Sequence, residues 1–261
     1  MSENQQMSFL QHLDELRWRL VRIAIAVISV AVVLWIYQEW VMNHVFLVLK
    51  EKEFITFKLL CAYFGVCVSD TTVKMQSMTV SGQFNYAMMM SLMGGLIITA
   101  PYIFYQIWSF IKPGLKKNEL RAAKGLVFYV SLCFFLGVLF GYFVVAPLTV
   151  QFFGSFQISP EIENNFTVGS YMGTVISTVF YTGILFLLPI VSYILTKIGL
   201  IGPEFLKKYR RHAIVVILII SAVITPPDIL SQIIVSIPII VLYEIGIVVS
   251  TRTSTNKNTI E

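Results

Sequence analysis

The sequence predicts an all-α, polytopic membrane protein with six transmembrane helices. Of its 261 residues, 57% are hydrophobic and only 13% are charged, which is more apolar surface than a soluble domain of this size can bury. Several apolar runs approach the roughly 20 residues that one crossing requires. These runs lie at about 21–38, 86–108, 125–148, 171–196, 212–225 and 229–249.

The basic residues predict the orientation of the spans. Arg17, Arg19 and Arg22 precede the first run, and the second and fourth connections each hold five of the 19 Lys and Arg residues. The third and fifth connections hold none. Because cytoplasmic loops are enriched in Lys and Arg, both termini are expected in the cytoplasm. The first run lacks a small-residue cleavage site after it, so a retained span is expected and not a signal peptide.

A single integral membrane domain is expected over 1–250. An amphipathic helix is predicted at 8–20, since the stretch SFLQ fits a capping box and apolar residues then recur on one face. The long connection at about 39–85 is expected to form an ordered outer cap that includes a short strand pair. Residues 251–261 are expected to form a cytoplasmic tail.

The last two spans are expected to be short or bent. The run from His212 to Ile224 would extend only about 20 Å at 1.5 Å per residue, against a hydrocarbon core of about 30 Å. Pro238 interrupts the sixth run, lacks a backbone N–H and usually bends a helix. This end of the protein is therefore expected to thin the bilayer locally.

The sequence does not predict an enzyme. The three cysteines form no C-x-x-C pair, and no histidine pair lies near them, which argues against a zinc site. Cys133 lies within an apolar run, whereas Cys61 and Cys67 could either be joined in an oxidising compartment or remain free thiols. Without a nucleophile–base pair, a phosphate-binding loop or a metal cluster, neither catalysis nor a cofactor is expected.

Two carboxylates near the expected cytoplasmic face allow two interpretations. Glu15 precedes Arg19 by four residues and can pair with it along one helix. Glu119 is the one acid of the second connection and can be neutralised by the bases around it. The alternative is that these acids form a local site for a cation on a surface that otherwise repels cations.

Three further polar residues lie in the last run or in the connection before it. Asp228 follows the proline pair of ITPPDILSQ and can either cap a helix N-terminus or act as an intramembrane acid. Gln232, one helical turn later, faces the same side. Glu244 is expected to snorkel, or to pair with Arg252 or with a neighbouring helix.

Taken in order, the motifs resemble the TatC family of twin-arginine translocase subunits. The similarity runs from FLQHLDELRWRL through APYIFYQIWSFIKPGLKKNE and FGYFVVAPLTVQFF to GPEFLKKYRRHAIV and ITPPDILSQIIVSIPIIVLYEIGI. The resemblance implies a cup-shaped helical bundle in the cytoplasmic membrane that recognises signal peptides carrying two arginines. With TatA- and TatB-type single-span proteins, such a receptor supports the export of folded proteins driven by the proton-motive force.

The resemblance also implies site residues. Glu15 and Glu119 match the acids that bind the arginine pair, and Phe110 matches a family position implicated in the same contact, while Arg17 is expected to help hold the site. A guanidinium presents a rigid fork of donors to carboxylate oxygens, whereas a lysine ammonium is a point charge, so two acids can read two arginines. The positions tied to translocation and assembly after recognition are Asp228, Gln232, Pro226 and Pro227.

The expected partners are TatA- and TatB-type proteins, twin-arginine signal peptides, further copies of the chain and membrane lipid, without nucleic acid. The chain departs from the family at Leu187, where many members place Glu or Gln two residues before a proline. A rival hypothesis is a secondary transporter or channel for a small solute that uses Asp228 and Glu244 as intramembrane carboxylates. A membrane scaffold without a ligand is a third.

Overall fold

The fold is almost entirely helical, and the predicted all-α class is confirmed. The computed structural model describes residues 9–51, 53–64, 74–114, 125–159, 164–198, 201–224 and 229–258. The α-helices of this part are α1 (Phe9–Ile36), α2 (Gln38–Val41), α3 (Ile55–Phe64), α4 (Gly82–Ile98), α5 (Ala100–Ile111), α6 (Leu126–Phe140), α7 (Ala146–Ser155), α8 (Val168–Leu185), α9 (Leu188–Ile198), α10 (Pro203–Lys208), α11 (Arg210–Ile224) and α12 (Ile229–Asn258). The strands are β1 (Lys74–Gln76) and β2 (Asn165–Thr167).

Helical turns of other pitch connect several of these helices. Wider π-helical turns cover Met42–Phe46 and Gly141–Val145, and tighter 3₁₀ turns cover Leu47–Lys50 and Lys112–Gly114. Helix α6 therefore runs through a π-helical turn directly into α7. One long apolar element results where the sequence predicts the third span.

Four helical stretches of the described residues are long and apolar enough to cross a membrane, and a bent pair makes a fifth if it forms one span. The four stretches are His12–Ile36, Leu126–Ser155, Val168–Thr196 and Gln232–Thr251. They coincide with the first, third, fourth and sixth predicted spans. The protein is thus a multi-pass helical membrane protein.

The second and fifth predicted spans are the irregular ones. Helices α4 and α5 together cover the second, and they meet at a bend of 56°. Pro101 explains the break, because its ring clashes with the preceding turn and it lacks a backbone donor. The fifth corresponds to α11, whose 15 residues extend about 22 Å, short of a hydrocarbon core of about 30 Å.

The N-terminal amphipathic segment and the first span form one continuous helix. The sequence suggested a separate helix at 8–20, but α1 runs without interruption through 28 residues. No Gly or Pro lies between Phe9 and Ile36 to break it. Because α1 is about 42 Å long, its first turns extend beyond a hydrocarbon core of about 30 Å.

The sixth predicted span also continues further than expected. Helix α12 contains Pro238 without ending there and reaches Asn258, so most of the predicted tail is helical. Among the cysteines, Cys61 is disulfide-bonded and Cys133 is a half-buried free thiol. Cys67 lies outside the described residues.

The chain divides into two compact units, Met1–Gln38 with Met88–Ser131, and Glu39–Ala87 with Leu132–Glu261. In the first unit α1 packs along α5. The second unit has an apolar core of Val145, Ile217, Val235 and Ile239, to which α11 and α12 both contribute.

The second unit also contains the small sheet. Strand β1 lies in the predicted cap, but its partner β2 belongs to the third connection, and the two pair in parallel with Met75 opposite Phe166. The expected strand pair within 39–85 is therefore not what the described residues form. A parallel pair needs a long crossover between its strands, so a hairpin pattern could not reveal it.

Candidate functional site

One face of α1 carries a groove near its N-terminal end. Glu15, Trp18, Arg19 and Arg22 line this groove, which has a volume of about 540 Å³. Their spacing of three, four and seven residues places them on the same helix face. The groove thus combines one carboxylate, two guanidinium groups and an indole ring.

Glu15 and Arg19 form an ion pair along the helix. The Arg19 Nη2 and Nε atoms lie 2.5 and 3.0 Å from the same carboxylate oxygen, Oε1 of Glu15. This is the intrahelical pair that the spacing predicted. Because both donors use one oxygen, the pair commits only half of the carboxylate.

Helix α5 holds Arg19 from the other side. The Arg19 Nη1 group donates to Oε1 of Gln106 over 3.1 Å, and the Gln106 amide nitrogen donates to the Tyr102 hydroxyl over 2.7 Å. Gln106 is only 4% exposed. A buried amide with both ends satisfied fixes the position of the guanidinium, and through it the position of Glu15.

The second carboxylate oxygen of Glu15 has no hydrogen-bond partner among the described residues, although the atom is buried. The His12 ring lies beside this oxygen, but its Nδ1 atom is 3.9 Å away, beyond hydrogen-bond distance. A buried acceptor without a donor usually costs about 1–3 kcal/mol. This oxygen is therefore an acceptor whose hydrogen-bonding capacity the described residues leave unused.

His12 connects this carboxylate to Phe110. The two rings stack with centroids 4.2 Å apart and planes inclined by 9°. His12 precedes Glu15 by three residues, so the imidazole covers one edge of the carboxylate. Phe110, which the resemblance implies as a site residue, thus stacks on His12, and His12 in turn lies beside Glu15.

The remaining predicted site residues are not gathered in this groove. Arg17 is exposed and does not line it. Gln232 joins the last two helices, since its side-chain amide donates to the Leu218 carbonyl over 3.1 Å. The predicted residues that lie outside the described part are Glu119, Pro226, Pro227 and Asp228.

Glu244 is paired with a neighbouring helix, one of the alternatives considered for it. Its Oε2 atom lies 2.5 Å from Nη2 of Arg210, the first residue of α11. The adjacent Tyr243 hydroxyl donates to the Leu206 carbonyl over 2.9 Å. These two bonds fasten the fourth connection to α12.

Four residues in or next to the groove were not predicted from the sequence: His12, Trp18, Tyr102 and Gln106. Trp18 could have been predicted from the sequence, since it follows Glu15 by three residues on the same helix face. Gln106 could also have been predicted, because a glutamine within the apolar stretch YIFYQIWSF needs polar partners. The identity of those partners depends on how α1 and α5 pack, which no local pattern specifies.

Comparison with known proteins gives a consistent result. Residues 11–238 match the family model described as Sec-independent protein translocase protein (TatC). The chain is 35% identical over 264 residues to the Sec-independent protein translocase protein TatC of Blattabacterium, covering 98% of this chain and 99% of that protein. It is 30% identical to TatCy of Bacillus subtilis, covering 94% and 89%.

A solved structure is also similar. The fold matches a crystal structure of the twin-arginine translocase receptor TatC with a TM-score of 0.69 and 32% sequence identity. The match covers 93% of this chain and 99% of that one. Sequence and fold therefore agree along nearly the whole chain.

Proposed function

Because the chain belongs to the TatC family of Sec-independent protein translocase proteins, we propose that its α1 groove binds an arginine of a twin-arginine signal peptide. The family makes the chain a membrane-embedded component of a protein translocase, a transport protein. What remains to be assigned is how this chain recognises its passengers.

The proposal rests on the carboxylate oxygen of Glu15 that accepts no hydrogen bond from a described residue. Arg19 occupies Oε1, whereas Oε2 is buried and lacks a donor among the described residues. In this proposal an arginine of the peptide donates to this oxygen, while Arg19 keeps its bonds to Oε1. Charge-assisted hydrogen bonds of this type contribute about 1.5–3 kcal/mol, more than a neutral pair would.

Glu119 is proposed as the second acid of the site. It lies in the connection that follows α5, the helix that brings Phe110 to His12 and Gln106 to Arg19. Two carboxylates can each accept hydrogen bonds from one guanidinium group. A lysine ammonium lacks the forked arrangement of donors that a guanidinium presents. In this proposal Phe110 and Arg17 support the site, Phe110 through its stack with His12.

The recognised protein is proposed to leave the cell through a complex with TatA- and TatB-type single-span proteins and further copies of this chain. The proton-motive force drives that step, and Asp228, Gln232 and the two prolines before Asp228 act after recognition. Gln232 is suited to such a role because it already bonds the two last helices to each other.

The cytoplasmic membrane is the proposed location, with both termini and the groove on the cytoplasmic side, as the basic residues predict. The rival small-solute transporter is less well supported. One of its two intramembrane acids, Glu244, is neutralised by Arg210 and its side chain is 37% exposed. An exposed, paired carboxylate is a poor candidate for an ion pathway.

The test is peptide binding to purified protein in lipid nanodiscs. A labelled twin-arginine peptide and its twin-lysine version are titrated against the parent protein, Glu15→Gln and Glu119→Gln. We expect each variant to lose about 10- to 100-fold in affinity for the twin-arginine peptide, as expected when one charge-assisted bond is removed. Glu204→Gln, an exposed acid at the start of α10, is the matched control and should bind like the parent.

Equal affinities of the parent and both variants would refute the assignment. A photo-crosslinker at position 15 or 119 gives an independent readout, because it should capture the twin-arginine peptide and not the twin-lysine peptide. Capture of both peptides to the same extent would also count against the site.

A further inference from the structure

Trp18 lines the groove, but the arginine contact proposed for Glu15 and Glu119 gives it no role. It lines the groove together with Glu15, Arg19 and Arg22, and 64% of its surface is exposed. It lies about 4.5 Å along the helix axis from Glu15 and about 6 Å from Arg22, at 1.5 Å per residue. The indole is therefore a largely exposed aromatic surface between charged groups on one helix face.

The chemistry of a guanidinium matches this arrangement. Its edge carries N–H donors that suit a carboxylate oxygen, and its flat face stacks on an aromatic ring. Glu15 and Trp18 both line the groove and bring these two features together: a carboxylate with one oxygen that accepts no hydrogen bond from a described residue, and an aromatic face. An ammonium group can meet the oxygen but has no planar face to stack.

We propose that Trp18 and Oε2 of Glu15 form a guanidinium subsite, in which Trp18 discriminates arginine from lysine. The proposal rests on the function assigned above and adds a residue to it. In this subsite the guest guanidinium lies over the indole with its edge toward Glu15.

The other charges in the groove fix the guest's position. Arg19 is neutralised by Glu15 and held by Gln106, so it repels an incoming cation weakly. Arg22 is exposed and forms no ion pair with a described residue, so it repels the cation at the far end of the groove. The favourable position for a guest cation is therefore between Glu15 and Trp18, and not beyond Trp18.

The first test compares Trp18→Ala and Trp18→Phe with the parent for twin-arginine and twin-lysine peptides. We expect Trp18→Ala to bind the twin-arginine peptide about 3- to 30-fold more weakly, with little change for the twin-lysine peptide. Trp18→Phe should retain part of the discrimination, because phenylalanine keeps a smaller aromatic face. Loss of affinity for both peptides by the same factor would overturn the proposal, as would no loss for either.

The second test reads the indole directly. Peptide binding should change the tryptophan emission of the parent protein, and most of this change should disappear in Trp18→Phe, which should fold and insert as the parent does. An unchanged signal in Trp18→Phe would overturn the proposal. Trp40→Ala is the matched control, since Trp40 is 58% exposed on another segment and stacks on His44.

The result for Glu15→Gln distinguishes failure of the Trp18 subsite from failure of the proposed function. If Glu15→Gln loses the twin-arginine peptide while Trp18→Ala does not, the Trp18 assignment fails and the proposed function stands. If Glu15→Gln binds normally, the proposed function fails at this residue, whatever Trp18 does.

Discussion

At the residue scale, the arrangement of Arg19 decides what Glu15 can do. An arginine four residues away would ordinarily satisfy a glutamate completely and remove it from binding. Here both donors of Arg19 converge on one oxygen, and Gln106 takes the remaining Nη1 group. Arg19 therefore acts as a positioning residue for the carboxylate, while the second oxygen accepts no hydrogen bond from a described residue.

The replacement Gln106→Leu tests this positioning role. It removes the acceptor for Arg19 and the donor to Tyr102, so two partly buried polar groups lose their partners. We expect a destabilisation of about 1–3 kcal/mol, and a several-fold weaker binding of the twin-arginine peptide because Arg19 and Glu15 are less well fixed. Thermal unfolding in detergent and peptide titration measure the two effects.

Gln106→Glu serves as the matched control for that change. It keeps an acceptor for Arg19 and a side chain of the same length, so it should unfold closer to the parent than Gln106→Leu does. Leucine and glutamate variants with the same midpoint and the same peptide affinity would show that the bond from Gln106 has no positioning effect.

At the element scale, glycines allow the long helices to approach closely. Gly137 and Gly141 are one turn apart in the stretch GVLFG, and both face α8. A Cβ atom at Gly137 would lie 2.8 Å from the Cα of Gly183, and one at Gly141 would lie 2.9 Å from the Cα of Val179. Small residues at such spacing are how membrane helices gain packing without a hydrophobic driving force.

The replacement Gly137→Ala tests the contact between these helices. The added methyl group meets backbone that cannot move aside locally, so the helices must separate and their packing is lost. We expect a destabilisation of about 1–3 kcal/mol, typical of overpacking. The midpoint of thermal unfolding in a fixed detergent measures it.

Gly173→Ala is the control for this substitution, since it lies in α8 itself and a Cβ there would meet nothing within 4 Å. It should be neutral or stabilising by up to about 1 kcal/mol, because alanine is the better helix former. If Gly137→Ala and Gly173→Ala both had the same unfolding midpoint as the parent, close approach at Gly137 would have no energetic role.

At the scale of the whole molecule, contacts between connections agree with one topology. Strand β1 of the first connection pairs with β2 of the third, so these two connections lie on the same side. His12 stacks on Phe110 at the end of α5, and Arg210 pairs with Glu244 near the end of the sixth span. Each of these contacts lies within one compact unit and joins segments that the basic residues predict on the same side of the membrane.

Cysteine labelling in cells tests the orientation that the basic residues predict. In a background with the native cysteines replaced by serine, Val80→Cys and Ile158→Cys occupy exposed positions of the first and third connections. A membrane-impermeant maleimide should label both in intact cells, because these connections are expected to face outward. Lys208→Cys in the fourth connection should react only after the membrane is permeabilised.

Labelling of Lys208→Cys in intact cells would contradict the proposed orientation, and protection of Val80→Cys together with labelling of Lys208→Cys would reverse it. Each variant is also labelled in detergent, where all three sites should react equally. That measurement separates membrane protection from poor intrinsic reactivity.

The sequence by itself determined the membrane class, the helical architecture, the approximate positions of the four longest spans and the intrahelical pair of Glu15 and Arg19. These follow from hydropathy, spacing and charge, which act over one helix or less. Only the tertiary structure decided that Gln106 fixes Arg19, that one oxygen of Glu15 is left without a donor among the described residues, that His12 stacks on Phe110 and that β1 pairs with a distant strand. Those features depend on which helix faces meet, and a contact between residues far apart in the chain is set by packing and not by local pattern.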